Sequence, residues 1–176
     1  LAMLAIKVLK VLPSLPFAPG HKLVLLTPLY IVAALLTKSR WGATVTGLTL
    51  GTVAFLMGDG RYGIFEICKH IAPGLVCDAL LPLVTRGERP RAWAWALLGA
   101  AMGLGRYATI FTVTLLVQPP AVALAFLLPG LMLNVFFGLA SGYVSHHVVR
   151  AVGRLRAEVE SDEAEERDPT DEEKAA

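Results

Sequence analysis

The sequence predicts an all-α membrane protein, a bundle of about six transmembrane helices, the first of them short, followed by an acidic, disordered C-terminal tail. Three observations predict it. Hydrophobic residues make up 55% of the chain and charged residues only 17%, against about 45–50% and about 25% in ordinary soluble domains. Apolar runs recur at 1–13, 22–38, 41–58, 62–85, 92–117 and 120–148, and a spanning helix needs about 20 such residues. Ten of the fourteen acidic residues fall between Glu158 and Glu173, leaving only Asp59, Glu66, Asp78 and Glu88 in the body. The division is therefore a transmembrane domain over 1–157 and a cytoplasmic tail over 158–176, the latter too charged and too poor in large apolar residues to pack.

The first run is short and carries Lys7 and Lys10, which suits either the end of a truncated helix or a partly interfacial one. The remaining five qualify by length. Loop charges orient them. KSR (38–40), TRGERPR (85–91) and the stretch around Arg150, Arg154 and Arg156 hold eight basic residues. APGHK, GDGR and VQPP, the alternate junctions, hold two, Lys22 and Arg61. The positive-inside rule makes the first set cytoplasmic. Six spans then place both termini in the cytoplasm of a multi-pass protein of the cell's inner membrane. No basic leader precedes the first apolar run, so a cleavable signal peptide is not expected.

Glycine pairs at four-residue spacing, Gly47/Gly51, Gly99/Gly103 and Gly138/Gly142, let helices approach closely. They serve either packing within the bundle or docking to another membrane subunit. Pro28, Pro73, Pro82 and Pro129 are expected to kink their helices, with nearby polar groups serving the freed carbonyls.

RYGIFEICKHIAPGLVCD, residues 61–78, puts Glu66, Lys69, His70 and Asp78 inside one apolar run. Ionisable groups are costly there and point to function. At 100° per residue, with Glu66 at 0°, Cys77 falls at about 20°, His70 at about 40°, Asp78 at about 120° and Lys69 at about 300°. Glu66, His70 and Cys77 thus share a face that should look into the bundle, and Cys68 points away. Glu66, Lys69 and His70 lie in the outer half of the membrane and Asp78 deeper. Arg106 and Asn134 fall near the middle of the two helices that follow, and Arg106 is a candidate partner for Asp78 or Glu66. The candidate ligand-binding set is therefore Glu66, Lys69, His70, Asp78, Arg106 and Asn134. Cys77 lies nearly two turns beyond His70, too far for one metal ion to be shared with Glu66, so no metal site and no cofactor is expected. Pairing among these groups to fix helix register is the competing reading. The two cysteines, nine residues apart, are about 13 Å apart along a helix and cannot bridge.

Motifs for other chemistry are absent. No phosphate-cradling glycine loop, HExxH or GxSxG occurs. The short basic loops lack interleaved aromatics, which argues against nucleic acid. The segment PSLPFAPGHK (13–22) is either a stiff connector or a lid over an outward-facing pocket.

Taken together, the small size, the six runs, the proline-rich PSLPFAPG, the glycine-rich TPLYIVAALLTKSRWGATVTGLTLG and the final LPGLMLNVFFGLASGY resemble an S component, the substrate-binding membrane subunit of energy-coupling factor (ECF) importers. The resemblance covers most of 1–150. It implies a non-catalytic protein that binds a vitamin, a vitamin precursor or a metal ion from outside, using loops and the outer halves of the later helices. It also implies partners: a transmembrane coupling subunit and cytoplasmic ATPases. Where that family's first helix carries AxxxA, this chain has Ala2 and Ala5, three apart, and the acidic tail lies outside the family pattern. Two other readings stand beside it: a structural or assembly membrane protein whose intramembrane charges fix helix packing, and a membrane enzyme using Glu66 and His70 as an acid/base pair.

Overall fold

The computed structural model describes residues 23–37, 39–58, 63–86 and 91–167, with side chains to residue 162. Among the described residues every regular element is helical. The helices are α1 Leu23–Thr37, α2 Gly42–Leu56, α3 Phe65–Val84, α4 Ala92–Val117, the short α5 Pro120–Ala125, and α6 Leu127–Arg167. The first apolar run, the candidate lid at 13–22 and the loops around Asp59 and Glu88 lie outside the described residues.

Three helices are long and apolar enough to cross a membrane: α3, α4 and the Leu127–Asp162 part of α6. The chain is thus compatible with a membrane protein. Both α1 and α2 have 15 residues, about 22 Å at 1.5 Å per residue, short of the roughly 30 Å hydrocarbon core. The run at 41–58 is longer as composition than as helix, because the backbone turns at Met57 and Gly58, where Gly58 takes a positive φ of 66°. Large apolar side chains stay exposed around the bundle, among them Leu48, Leu56, Leu116, Leu128, Met132 and Phe136. A band of this kind suits lipid better than water.

Glycine fixes the closest helix contacts. A Cβ on Gly99 would stand 2.6 Å from Gly142 N, and one on Gly138 would stand 3.0 Å from Ala100 Cα. Gly103 meets the Asn134 carbonyl and Gly142 meets that of Trp95. Rising numbers on α4 meet falling numbers on α6, so the two run antiparallel. On the other side Gly47 and Gly51 of α2 lie against His70 and Ile67 of α3, and Gly74 answers against Ala43 and Thr44. All three glycine pairs thus face neighbours inside this chain. Between the two crossings sits the apolar core of Leu26, Ile31, Leu50, Leu81, Leu98 and Met102.

Threonine is tolerated in these apolar helices because the helix satisfies it. Thr46, Thr49 and Thr52 donate to the carbonyls of Gly42, Val45 and Leu48, each four residues back. The prolines follow a related logic. Pro28 removes the donor that Val24 O would have taken, and the Ser141 hydroxyl of α6 donates to Val24 O instead, at 3.3 Å. Pro129 would clash with the carbonyl of Ala125, and α5 ends at Ala125. The sixth run is therefore a broken pair of helices rather than a kinked one. Tyr107 of α4 closes the break, donating to the carbonyls of Phe126 (3.1 Å) and Leu127 (2.7 Å).

The tail differs from the expected disorder. α6 continues to Arg167, nine residues past Glu158, where the acidic run begins. Elongating an existing helix costs far less than starting one, and Ala, Arg and Glu are good helix formers. Arg156 Nε also donates to Glu160 Oε1 at 2.7 Å, an i,i+4 pair across the boundary. Residues 168–176 lie outside the described residues.

Candidate functional site

The first turns of α3 carry the densest charge. Glu66 is 3% exposed, and its Oε1 is ion-paired with Lys69 Nζ. His70 Nε2 lies 3.8 Å from the same oxygen. The expected face is observed: Glu66 and Cys77 are buried, while Cys68 is exposed. The other carboxylate oxygen, Glu66 Oε2, is buried without a hydrogen-bond partner among the described residues. Three of the six candidates thus come together, and one of them keeps an acceptor in reserve.

Asp78 does something different. α2 begins after Trp41, whose side chain makes no capping bond. The first N–H groups of a helix need acceptors, and Asp78 supplies them from α3. Its Oδ1 accepts from Ala43 N at 3.0 Å, and its Oδ2 accepts from Thr44 N at 2.8 Å and from Thr44 Oγ1 at 2.6 Å. The carboxylate also faces the positive end of the α2 dipole. Gly74, one turn earlier, touches the same residues of α2, which brings Asp78 within reach. Asp78 is a capping group delivered from a neighbouring helix.

Arg106 does not pair as expected. The described residues contain no ion pair between it and Asp78 or Glu66. Asp78 is occupied by α2, and Glu66 by Lys69 and His70. Arg106 is 8% exposed, and its Nε and Nη1 are buried with no hydrogen-bond partner among the described residues. Its neighbours follow from the helix contacts. Gly103 lies on Asn134, Gly105 on Val76, and the Tyr107 ring on Gly130. Tyr30 of α1 is within electrostatic reach. Asn134 is 1% exposed, and its Nδ2 donates to Gly130 O at 2.8 Å within its own helix.

Tyr30 is the residue that sequence reasoning missed. It is fully buried, and its hydroxyl donates to His70 O at 2.9 Å. It therefore links the Glu66 group to the Arg106 level. A signal was present: Thr27 and Tyr30 are polar groups at i, i+3 in an apolar run, hence on one face. Thr27 is also fully buried, with Oγ1 lacking a partner among the described residues.

The interior thus holds a paired Glu66–Lys69–His70 group and, among the described residues, a buried guanidinium without an anion and several unused hydrogen-bonding atoms. Such a set can bind a polar solute through charge-assisted hydrogen bonds. Among the described residues no three His, Cys, Asp or Glu side chains gather as metal ligands would. No protein-family model, no curated protein and no solved structure matches the chain.

Proposed function

We propose that the chain is the substrate-capturing membrane subunit of an importer of the energy-coupling factor type. In this reading it is a six-span protein of the inner membrane, counting the run at 1–13, with both termini in the cytoplasm. It binds a small polar solute, of the vitamin or vitamin-precursor class, from outside. It passes the solute to a transmembrane coupling subunit driven by cytoplasmic ATPases, and catalyses nothing itself. The observation that carries the reading is unused hydrogen-bonding capacity on buried charged groups, Glu66 Oε2 and Arg106 Nε and Nη1. Leaving such groups unserved is costly, and a ligand that serves them makes that cost part of its binding.

Asp78 and Asn134 favour the structural reading for their own part. Asp78 is engaged in capping α2, while Asn134 bonds within its own helix, and the binding set carried forward is Glu66, Lys69, His70 and Arg106, with Asn134 at its edge. The test is a thermal-shift screen of the purified protein against water-soluble vitamins, their precursors and divalent metals. A ligand at a hundred times its Kd adds about 2.7 kcal/mol. A shift in wild type that is lost in Glu66→Gln and His70→Ala is expected. No shift with any compound, together with variants that only melt earlier, refutes capture and leaves the structural reading.

A further inference from the structure

Charge balance inside the bundle narrows the ligand. Residues 1–157 contain four carboxylates. Glu66 is matched by Lys69, and Asp78 by the first turn of α2. Asp59 and Glu88 lie outside the described residues. Residues 1–22 contain no Asp or Glu, so whatever their arrangement they bring no carboxylate to the interior. Arg106, midway along α4 and 8% exposed, is left as a positive charge without an anion among the described residues. A guanidinium does not shed its proton to escape burial. Tyr30, its nearby phenol, already donates to His70 O. The phenol oxygen keeps acceptor capacity, but a neutral acceptor does not neutralise a cation.

We propose that Arg106 is the anion-binding group of this interior, and that the solute bound here carries an oxyanion, a carboxylate or a phosphate. The assignment rests on the capture reading above and specifies its ligand class. Nε and Nη1 are the atoms that receive the oxyanion, since both lack an acceptor. An oxyanion restores electrical neutrality at that level and fits the donor geometry of arginine better than that of lysine.

The experiment is thermal unfolding of the purified full chain in detergent at fixed ionic strength, in chloride, acetate or inorganic phosphate. Wild type, Arg106→Met and Arg106→Lys are compared. Acetate or phosphate is expected to raise the wild-type melting temperature above its value in chloride, with no such rise in R106M and a weaker one in R106K. A response to acetate alone assigns a carboxylate, and one to phosphate alone a phosphate. Equal effects of the three anions on wild type, or the same anion effect in R106M, overturn the assignment. If R106M does not fold, an acetate or phosphate titration midpoint unchanged in R106K overturns it and a tenfold weaker one supports it. The two proposals fail separately. A vitamin that binds R106M as tightly as wild type leaves capture standing and removes the oxyanion role. An anion effect at Arg106 with no vitamin bound does the reverse.

Discussion

Removing the Asp78 carboxylate should loosen the α2–α3 pair. Three donors converge on it, Ala43 N, Thr44 N and Thr44 Oγ1, at 3.0, 2.8 and 2.6 Å. Hydrogen bonds to a charged group contribute about 1.5–3 kcal/mol each. The three share one carboxylate whose desolvation offsets part of the gain, so they do not add. Loss of an ordinary N-cap costs about 1 kcal/mol, up to about 2, and here two backbone donors lose their acceptors at once. Asp78→Ala is therefore expected to lower the unfolding free energy by about 2–4 kcal/mol, and Asp78→Asn, which keeps one acceptor, by about 1–2 kcal/mol. The assay is reversible unfolding in mixed micelles, with Thr44→Val and the double variant completing a cycle. Asp78→Ala and Thr44→Val should be non-additive by at least about 0.5 kcal/mol, as for residues in direct contact. An Asp78→Ala effect below about 0.5 kcal/mol, or strict additivity, refutes the capping role.

Four further outcomes follow from the same contacts. Gly138→Ala places a methyl 2.5 Å from the Gly99 carbonyl oxygen and 3.0 Å from Ala100 Cα, so one backbone must move, and should cost about 1–3 kcal/mol in the same assay. Gly153→Ala on α6 meets nothing within 4 Å and should gain up to about 1 kcal/mol from helix propensity. Tyr107→Phe removes the donor that closes the α5–α6 break; a loss of about 1 kcal/mol, with faster hydrogen exchange at 120–130, is expected. Glu160→Gln breaks a pair whose side chains are 52% and 62% exposed; its effect on stability should stay under about 0.5 kcal/mol and vanish in high salt.

Much of this was legible because it depends on local pattern. The apolar runs located α1 to α4 to within a few residues, since burial of that much apolar surface requires the backbone to satisfy itself, but the last run is split at Phe126 and its helix goes on to Arg167. The wheel of residues 66–78 put Glu66 and Cys77 inward and Cys68 outward, because angular position on one helix needs no knowledge of its neighbours. The four-residue glycine spacing announced close crossings. It did not say which helices would cross, as a glycine carries no mark of its partner.

The chain's own sequence therefore determined that it is helical, apolar and most densely charged, within its apolar runs, along residues 66–78. The tertiary structure alone decided what each charge does. Asp78 looked like a partner for Arg106 on the basis of opposite charge. Its acceptors went to backbone N–H groups, because α2 starts at Gly42 with no side-chain cap from Trp41 and Gly74 lets the two helices close in. Backbone donors have no letter in a sequence, so a carboxylate that caps a distant helix reads there as a free charge. The i, i+3 pair of Thr27 and Tyr30 marked a polar face on α1, but its partner was illegible for the same reason, since Tyr30 serves the backbone carbonyl of His70. Once Asp78 and Glu66 are engaged elsewhere, Arg106 is left buried with two unused donors, a consequence of packing that no count of charges along the chain contains.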